Sequence, residues 1–124
     1  MSEQNQVIDS EALARKCVEI CEDRKAENVM LFDMRDHSIL ADFFIICTGN
    51  SLPHIRAISN RLNQELASNK IHPGHVEGKP SNSWMVLDYG PVLIHVMDPE
   101  HRHYYNIEDL WKGGNLIYRS GNEE

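Results

Sequence analysis

The sequence lacks the segments that would direct it into a membrane or out of the cell. No apolar run approaches the roughly 20 residues that a helix needs to span a bilayer. The N-terminal Met-Ser-Glu-Gln-Asn-Gln has neither the basic charge nor the apolar core of a signal peptide. Cysteine is also scarce, and its three copies have neither the number nor the spacing of a disulfide framework. These absences predict a cytoplasmic protein in a reducing compartment, with no membrane partner.

Acidic residues outnumber basic residues in this chain. The chain has 12 Lys and Arg against 19 Asp and Glu, for a formal net charge of -7. Proteins bind nucleic acid mainly through clustered basic residues that neutralise its phosphates. The charge balance therefore predicts little direct binding of nucleic acid and suits a basic protein partner.

The length and hydrophobic content of the chain are sufficient for one folded domain. With 124 residues, of which 41% are hydrophobic, the chain can bury a core without metal or disulfide staples. We expect a single domain over residues 1–124, with a core from about residue 10 to about residue 112 and flexible termini. Helical and strand-like apolar patterns alternate, which predicts an α/β fold with a mixed β-sheet of about five strands flanked by helices.

The most informative stretch is the unbroken apolar run Phe-Phe-Ile-Ile-Cys at residues 43–47. A strand without alternation is buried on both faces, so we place this run at the centre of the sheet. The other predicted elements are a helix from Asp9 or Ser10 to about Lys25, a strand at 29–32 antiparallel to the central one, a helix from Pro53 to about Ser68, an extended piece at 75–78, a helical turn at 100–105 and a short helix at 106–111.

Two β-rich runs at 84–87 and 92–97 are joined by Asp-Tyr-Gly-Pro, which predicts a hairpin. A two-residue loop would place Trp84 opposite His95, and a three-residue loop would place it opposite Ile94. A slip of one residue exchanges the two faces, so the register stays open. Because Tyr89 lies at the tip of the hairpin, we expect its side chain to be exposed.

The turn Thr48-Gly49-Asn50-Ser51 joins the central strand to the next helix and could cradle a phosphate. A Gly-Ser turn of this kind opens the active site of nucleotidyltransferases, which also need a pair of carboxylates to hold metal ions. No Asp-x-Asp or Glu-x-Glu occurs in the sequence. We therefore predict a capped helix behind a buried strand, with no catalytic residue, metal or cofactor. A nucleotidyltransferase-like enzyme is the competing hypothesis.

The histidines and cysteines do not have the spacing that is typical of a metal site. No cysteine or carboxylate completes a structural zinc site around the histidines. We interpret His95, which alternates with apolar residues, as a hydrogen-bonded structural residue, and we place His101 and His103 on the surface. The remaining histidines considered as metal ligands are His72 and His75. We predict that the three cysteines, Cys17, Cys21 and Cys47, are buried as small hydrophobic residues.

Aromatic residues gather among charged ones in the C-terminal third. Aromatic side chains with polar tips, mixed with arginine and carboxylates, have the composition of a protein interface. For Trp111 and one of the two adjacent tyrosines, burial in the core is the better interpretation. The predicted protein-binding residues are Trp84, Asp88, Tyr89, Arg102, Tyr104 and Tyr105.

Five sequence blocks occur in order between about residue 10 and residue 112. They read Asp-Phe-Phe-Ile-Ile-Cys-Thr-Gly-Asn-Ser at 42–51, Glu-Gly at 77–78, Trp-x-Val-Leu-Asp-Tyr-Gly at 84–90, Val-x-Ile-His-Val at 92–96 and Arg-x-Tyr-Tyr-x-Ile-Glu-x-Leu-Trp at 102–111. In these blocks the chain closely resembles the ribosomal silencing factor family, also called the Iojap-like family.

This resemblance implies a nucleotidyltransferase-like α/β fold without the catalytic carboxylates. It also implies binding to the large ribosomal subunit through the ribosomal protein called L fourteen. Occupation of that surface would block joining of the small subunit and repress translation under nutrient limitation. Family members are often homodimers when free. A plain dimerisation or assembly module is the remaining alternative.

Overall fold

The computed structural model describes residues 9–36, 38, 41–71, 75–79, 83–105 and 114–120, with the backbone alone described for 75–79, 104 and 105. The elements are α1 (Ser10–Asp23), β1 (Glu27–Asp33), β2 (Phe43–Thr48), α2 (Leu52–Ala67), β3 (His75–Lys79), β4 (Trp84–Asp88), β5 (Val92–Met97), α3 (Pro99–Tyr105) and β6 (Asn115–Arg119). The helix predicted at 106–111, with Trp111, lies outside the described residues, as does His72. Within the described ranges, no helix is both long and apolar enough to cross a membrane.

The strands form one mixed sheet in the order β3-β4-β5-β2-β1-β6. The neighbours β2 and β5 are parallel, whereas every other neighbouring pair is antiparallel. All six residues of β2 are buried, as expected for a central strand. The predicted mixed sheet with flanking helices is confirmed. It has one strand more than the expected count of about five, because β6 pairs with β1.

The helices begin at the residues that their caps require. Asp9 Oδ2 accepts the Ala12 N–H at 3.1 Å at the start of α1. Ser51 Oγ accepts the His54 N–H at 3.1 Å at the start of α2, and Pro53 suits the first turn. The two long predicted helices are therefore confirmed as α1 and α2, with ends within two residues of those expected. The inward stripe of α2 is also confirmed, since it buries Ile55, Ile58, Leu62 and Leu66.

The sheet has a different core on each face. On the first face, α1 and α2 pack over alternate residues of the central strands, including Phe43, Ile45 and Leu87. The second face carries a smaller cluster, comprising Met30, Phe32, Met34, Ala41, Phe44, Ile46 and Met97 with Trp84 and Leu93 packed against it. Because Arg102 contacts Met30, α3 lies on this second face.

The three cysteines are free and buried, as predicted. The Cys47 thiol donates to Cys21 Sγ at 3.9 Å across the interface between β2 and α1. Burial raises the pKa of Cys17 to about 12, and the hydrogen bond from Cys47 together with burial raises that of Cys21. Thiols that stay protonated are poor nucleophiles, so Cys17 and Cys21 act as core side chains.

The hairpin register differs from both alternatives considered above. Trp84 pairs with Met97 and Asp88 with Leu93, which leaves Gly90 and Pro91 as the turn. Proline cannot donate to the ladder and so belongs in the turn, and Gly90 has a φ of 87°, which favours glycine. The Asp88 carboxylate completes the turn by accepting the Gly90 N–H at 2.8 Å.

Candidate functional site

The turn at residues 48–51 uses three of its hydrogen-bond donors within the fold. The Gly49 N–H donates to the Met97 carbonyl at 3.0 Å, and the Asn50 N–H donates to His54 Nδ1 at 2.9 Å. The other nitrogen of that imidazole, Nε2, lies 2.8 Å from the Arg24 carbonyl. The Asn50 amide also donates to Glu27 Oε2 at 3.0 Å. The groups named here, which could otherwise contact a phosphate, are thus bonded to β5, to α2 and to β1.

Glycine is required at position 49 by a close approach of two elements. A Cβ there would lie 2.6 Å from Ile55 Cγ1 and 3.2 Å from Ile55 Cα. We expect Gly49→Ala to lower the free energy of unfolding by about 1–3 kcal/mol, because α2 must shift away from β2. Urea denaturation measures this loss. Asn60→Ala, on the exposed face of α2, is the control and should stay within about 0.5 kcal/mol of the parent. Equal midpoints for Gly49→Ala and the parent would refute the close packing.

Trp84 is held on the second face by a pair of histidines. Its indole N–H donates to His95 Nδ1 at 3.1 Å, and the centroids of the two rings lie 6.0 Å apart. The His101 ring lies 5.9 Å away, tilted by 53° to the indole. His101 is itself held by Asp98, whose Oδ1 lies 2.8 Å from its Nδ1. The prediction that His95 is a hydrogen-bonded structural residue is confirmed, whereas His101 is half-buried instead of lying on the surface.

Electrostatics favour a neutral His95 and an ionised Asp98. Burial lowers the pKa of His95 to about 4. Burial alone would raise the pKa of Asp98, but hydrogen bonds from the backbone and ring of His101 bring it below its usual value. The Asp98 carboxylate also accepts the His101 N–H at 2.7 Å, as an N-cap of α3. The sequence signal for this contact was the Asp-Pro pair followed two residues later by histidine.

The low pKa of His95 makes stability depend on pH. The unfolded chain takes up a proton near the ordinary value of 6.5, whereas the folded chain does so only near 4. His95 therefore contributes stability that is fully present above pH 6.5 and is lost progressively as the pH falls to about 4. The loss should be at most about 3 kcal/mol. Denaturant unfolding at several pH values, compared with His95→Gln, isolates this contribution. Parallel curves for the two proteins would contradict it.

The prediction that Tyr89 is exposed was wrong. Its side chain is 5% exposed and packs among the residues under α1 and α2. Its hydroxyl donates to Asn63 Oδ1 on α2. Burial raises the pKa of the phenol, which therefore stays protonated. Residues along a strand alternate between faces, so Tyr89 turns to the helices while its neighbour Asp88 turns to the second face.

The remaining predicted binding residues are divided between interior and surface. Arg102 is 8% exposed, and it donates to Thr48 Oγ1 at 2.9 Å and to Met30 Sδ at 3.0 Å. Trp84 and Asp88 are half-buried on the second face, at opposite ends of β4, about 13 Å apart. Tyr104 and Tyr105 belong to α3, and their side chains lie outside the described part of the structure. The structure thus places Trp84 beside His101 of α3, whereas Arg102 is buried against β1 and β2.

Clusters able to hold a metal ion are not found among the described residues. Of the histidines considered as ligands, His95 and His101 flank the Trp84 indole and His103 is exposed. The side chain of His75 is outside the described set. A cavity of about 550 Å³ lies elsewhere, between α1 and α2. Its lining is mostly charged and includes Glu19, Asp23 and Arg61.

Comparison with known proteins identifies relatives over nearly the whole chain. The family model described as "Ribosomal silencing factor during starvation" matches residues 7–123. The ribosomal silencing factor RsfS of Halalkalibacterium halodurans is 36% identical over 104 residues, covering 84% of this chain and 89% of that protein. The Bacillus subtilis protein of the same name is 33% identical over 104 residues, covering 84% of this chain and 88% of that protein.

A solved structure agrees with the described architecture. The crystal structure of a protein from Chromobacterium violaceum superimposes with a TM-score of 0.81 at 29% identity, covering 93% of this chain and 95% of that one.

A more distant relative is the mouse protein named "Mitochondrial assembly of ribosomal large subunit protein 1". It is 28% identical over 97 residues, and the match covers 76% of this chain and 42% of that protein.

Proposed function

Because this chain belongs to the ribosomal silencing factor family, we propose that it binds the large ribosomal subunit through ribosomal protein L fourteen and blocks joining of the small subunit. This action represses translation when nutrients are limited. The observation that carries the proposal is the family match over residues 7–123. The name of the mouse relative, which refers to the large subunit, supports the choice of subunit.

The proposed docking surface is the second face of the hairpin together with α3. It comprises Trp84 and Asp88 from β4 and Tyr104 and Tyr105 from α3. Trp84 is the anchor, since a half-buried indole on a fixed strand loses little conformational freedom on binding. Asp88 contributes a carboxylate that suits a basic protein.

Tyr89 and Arg102 support this surface from within. Tyr89 joins the hairpin to α2 through Asn63, on the other side of the sheet. Arg102 joins α3 to the middle of β1 through Met30 and to the end of β2 through Thr48. Substitution of either residue should therefore change the stability of the fold as well as binding.

The charge of the chain fits a protein partner better than RNA. A net charge of -7 opposes close approach to phosphates and favours a basic ribosomal protein. The action needs no turnover, because a bound chain excludes the small subunit by its volume. The enzyme alternative rests on residues 48–51, where the N–H groups of Gly49 and Asn50 are bonded within the fold. ATP or GTP with magnesium should therefore leave the melting temperature unchanged, whereas a rise would favour that alternative.

Sedimentation with purified subunits tests the proposed function. The chain should pellet with large subunits, should not pellet with small subunits, and should be displaced by free L fourteen. The same chain alone, spun under the same conditions, is the control for aggregation. A chain that stays in the supernatant with large subunits in excess would refute the proposal, and one that pellets but resists displacement by L fourteen would refute the choice of partner.

A further inference from the structure

The contact between Trp84 and His95 joins β4 to β5 through polar groups beside the apolar cluster of the second face. The indole N–H is a donor only, and at the half-buried position of Trp84 a protein acceptor can satisfy it. His95 Nδ1 supplies that acceptor at 3.1 Å. An apolar residue at position 95 would fill the same space between Val86 and Ile46, its register partners, without giving the indole a preferred orientation.

Accepting at Nδ1 defines the state of the imidazole. The ring must be neutral and must carry its proton on Nε2. Desolvation of the ring already favours the neutral form, in keeping with its pKa of about 4. His95 is therefore a persistent acceptor at neutral pH, and a hydrogen bond from Trp84 stabilises one rotamer of the indole.

The other side of the indole is limited by α3. The ring centroid of His101 lies 5.9 Å from that of the indole. The Asp98 carboxylate holds His101 in place by contacting the ring nitrogen and the backbone N–H of His101. Trp84 thus has a hydrogen bond on one side and a packed ring on the other. We propose that His95 is a positioning residue, which fixes the orientation in which Trp84 meets the large subunit. This inference rests on the proposed function.

Two substitutions separate the hydrogen bond from the packing. His95→Leu introduces an apolar side chain of similar size and removes the acceptor, whereas His95→Gln supplies an acceptor oxygen. His101→Ala is the matched control, because it removes a ring next to Trp84 and leaves the indole N–H bond intact. Circular dichroism and thermal melting verify that each variant is folded.

The first measurement uses the indole N–H of Trp84 and needs no ribosome. The sequence has two tryptophans, so the NMR signal is assigned by its loss in Trp84→Phe. Exchange of this proton with solvent should be about tenfold faster or more in His95→Leu, and close to the parent rate in His95→Gln and His101→Ala. An unchanged rate in His95→Leu would show that the bond does not hold the indole, and the proposal would fail.

The second measurement is the affinity for large subunits. His95→Leu should bind about fivefold to tenfold more weakly, the scale of one hydrogen bond, and His95→Gln should recover most of that loss. Faster exchange with unchanged affinity would overturn the positioning role alone. If Trp84→Ala also binds like the parent, the failure lies with the docking surface of the proposed function.

Discussion

Trp84→Ala is expected to weaken binding to the large ribosomal subunit by about 30-fold or more, the effect of losing an anchor worth about 2 kcal/mol. Trp84 packs against the apolar cluster of the second face, and its N–H is bonded to His95. The side chain is therefore held in place before the partner arrives. Binding is measured by titration of labelled large subunits under conditions where the variant is folded.

The control for this prediction is Leu52→Ala. Leu52 is 40% exposed and starts α2, on the opposite side of the sheet from Trp84. Its truncation removes exposed apolar surface without touching the proposed docking surface, so affinity should match that of the parent. If Trp84→Ala and Leu52→Ala bind equally well, Trp84 is not an anchor and the docking surface must lie elsewhere.

Phe43→Ala is expected to lower the free energy of unfolding by about 3–5 kcal/mol, the range for a large aromatic residue removed from a core. Phe43 is fully buried in β2, where it pairs with Asp33 on one side and Val92 on the other. The Arg35 guanidinium lies 4.9 Å from the ring centroid and covers it. Because domains are stable by only about 5–15 kcal/mol, much of the total would be lost.

Urea denaturation followed by circular dichroism measures this loss. Leu116→Ala is the control in the same sheet, since Leu116 lies on β6 and is 42% exposed. It should stay within about 0.5 kcal/mol of the parent. A loss for Phe43→Ala no larger than that for Leu116→Ala would mean that β2 is not the centre of the core.

The sequence predicted the elements whose patterns are local. The run at 43–47 is buried because no polar residue interrupts it, and the four-residue spacing in α2 places Ile58, Leu62 and Leu66 on one side. Caps at Asp9 and Ser51 located the starts of both helices. The absence of an Asp-x-Asp pair also led to a structural interpretation of residues 48–51, in keeping with the hydrogen bonds found there.

Features that depend on distant partners could not be predicted in this way. The sequence gives no pattern for β6, a short segment after two glycines that forms a strand because the edge of β1 is available. The hairpin register is set by Gly90 and Pro91, which form the turn together. A register shifted by one residue would place the Tyr89 side chain on the opposite face of the sheet. The contact of Arg102 with Thr48 joins residues 54 positions apart.

The candidate site likewise combines features that the sequence indicates with features that depend on the fold. Composition and family resemblance led us to propose the region from Trp84 to α3 as the binding site. They could not separate Tyr89 and Arg102, which are buried, from Trp84 and Asp88, which reach the second face. That separation follows from strand alternation and from the position of α3, and both become known only with the fold.

Subunit joining is the measurement that tests the central claim most directly. Purified large subunits are incubated with an excess of this chain and then mixed with small subunits, and joining is followed by light scattering. The extent of joining should fall in proportion to the fraction of large subunits that carry the chain, and Trp84→Ala should restore it. Large subunits that are saturated with the chain yet join small subunits as fast and as fully as bare ones would contradict the account.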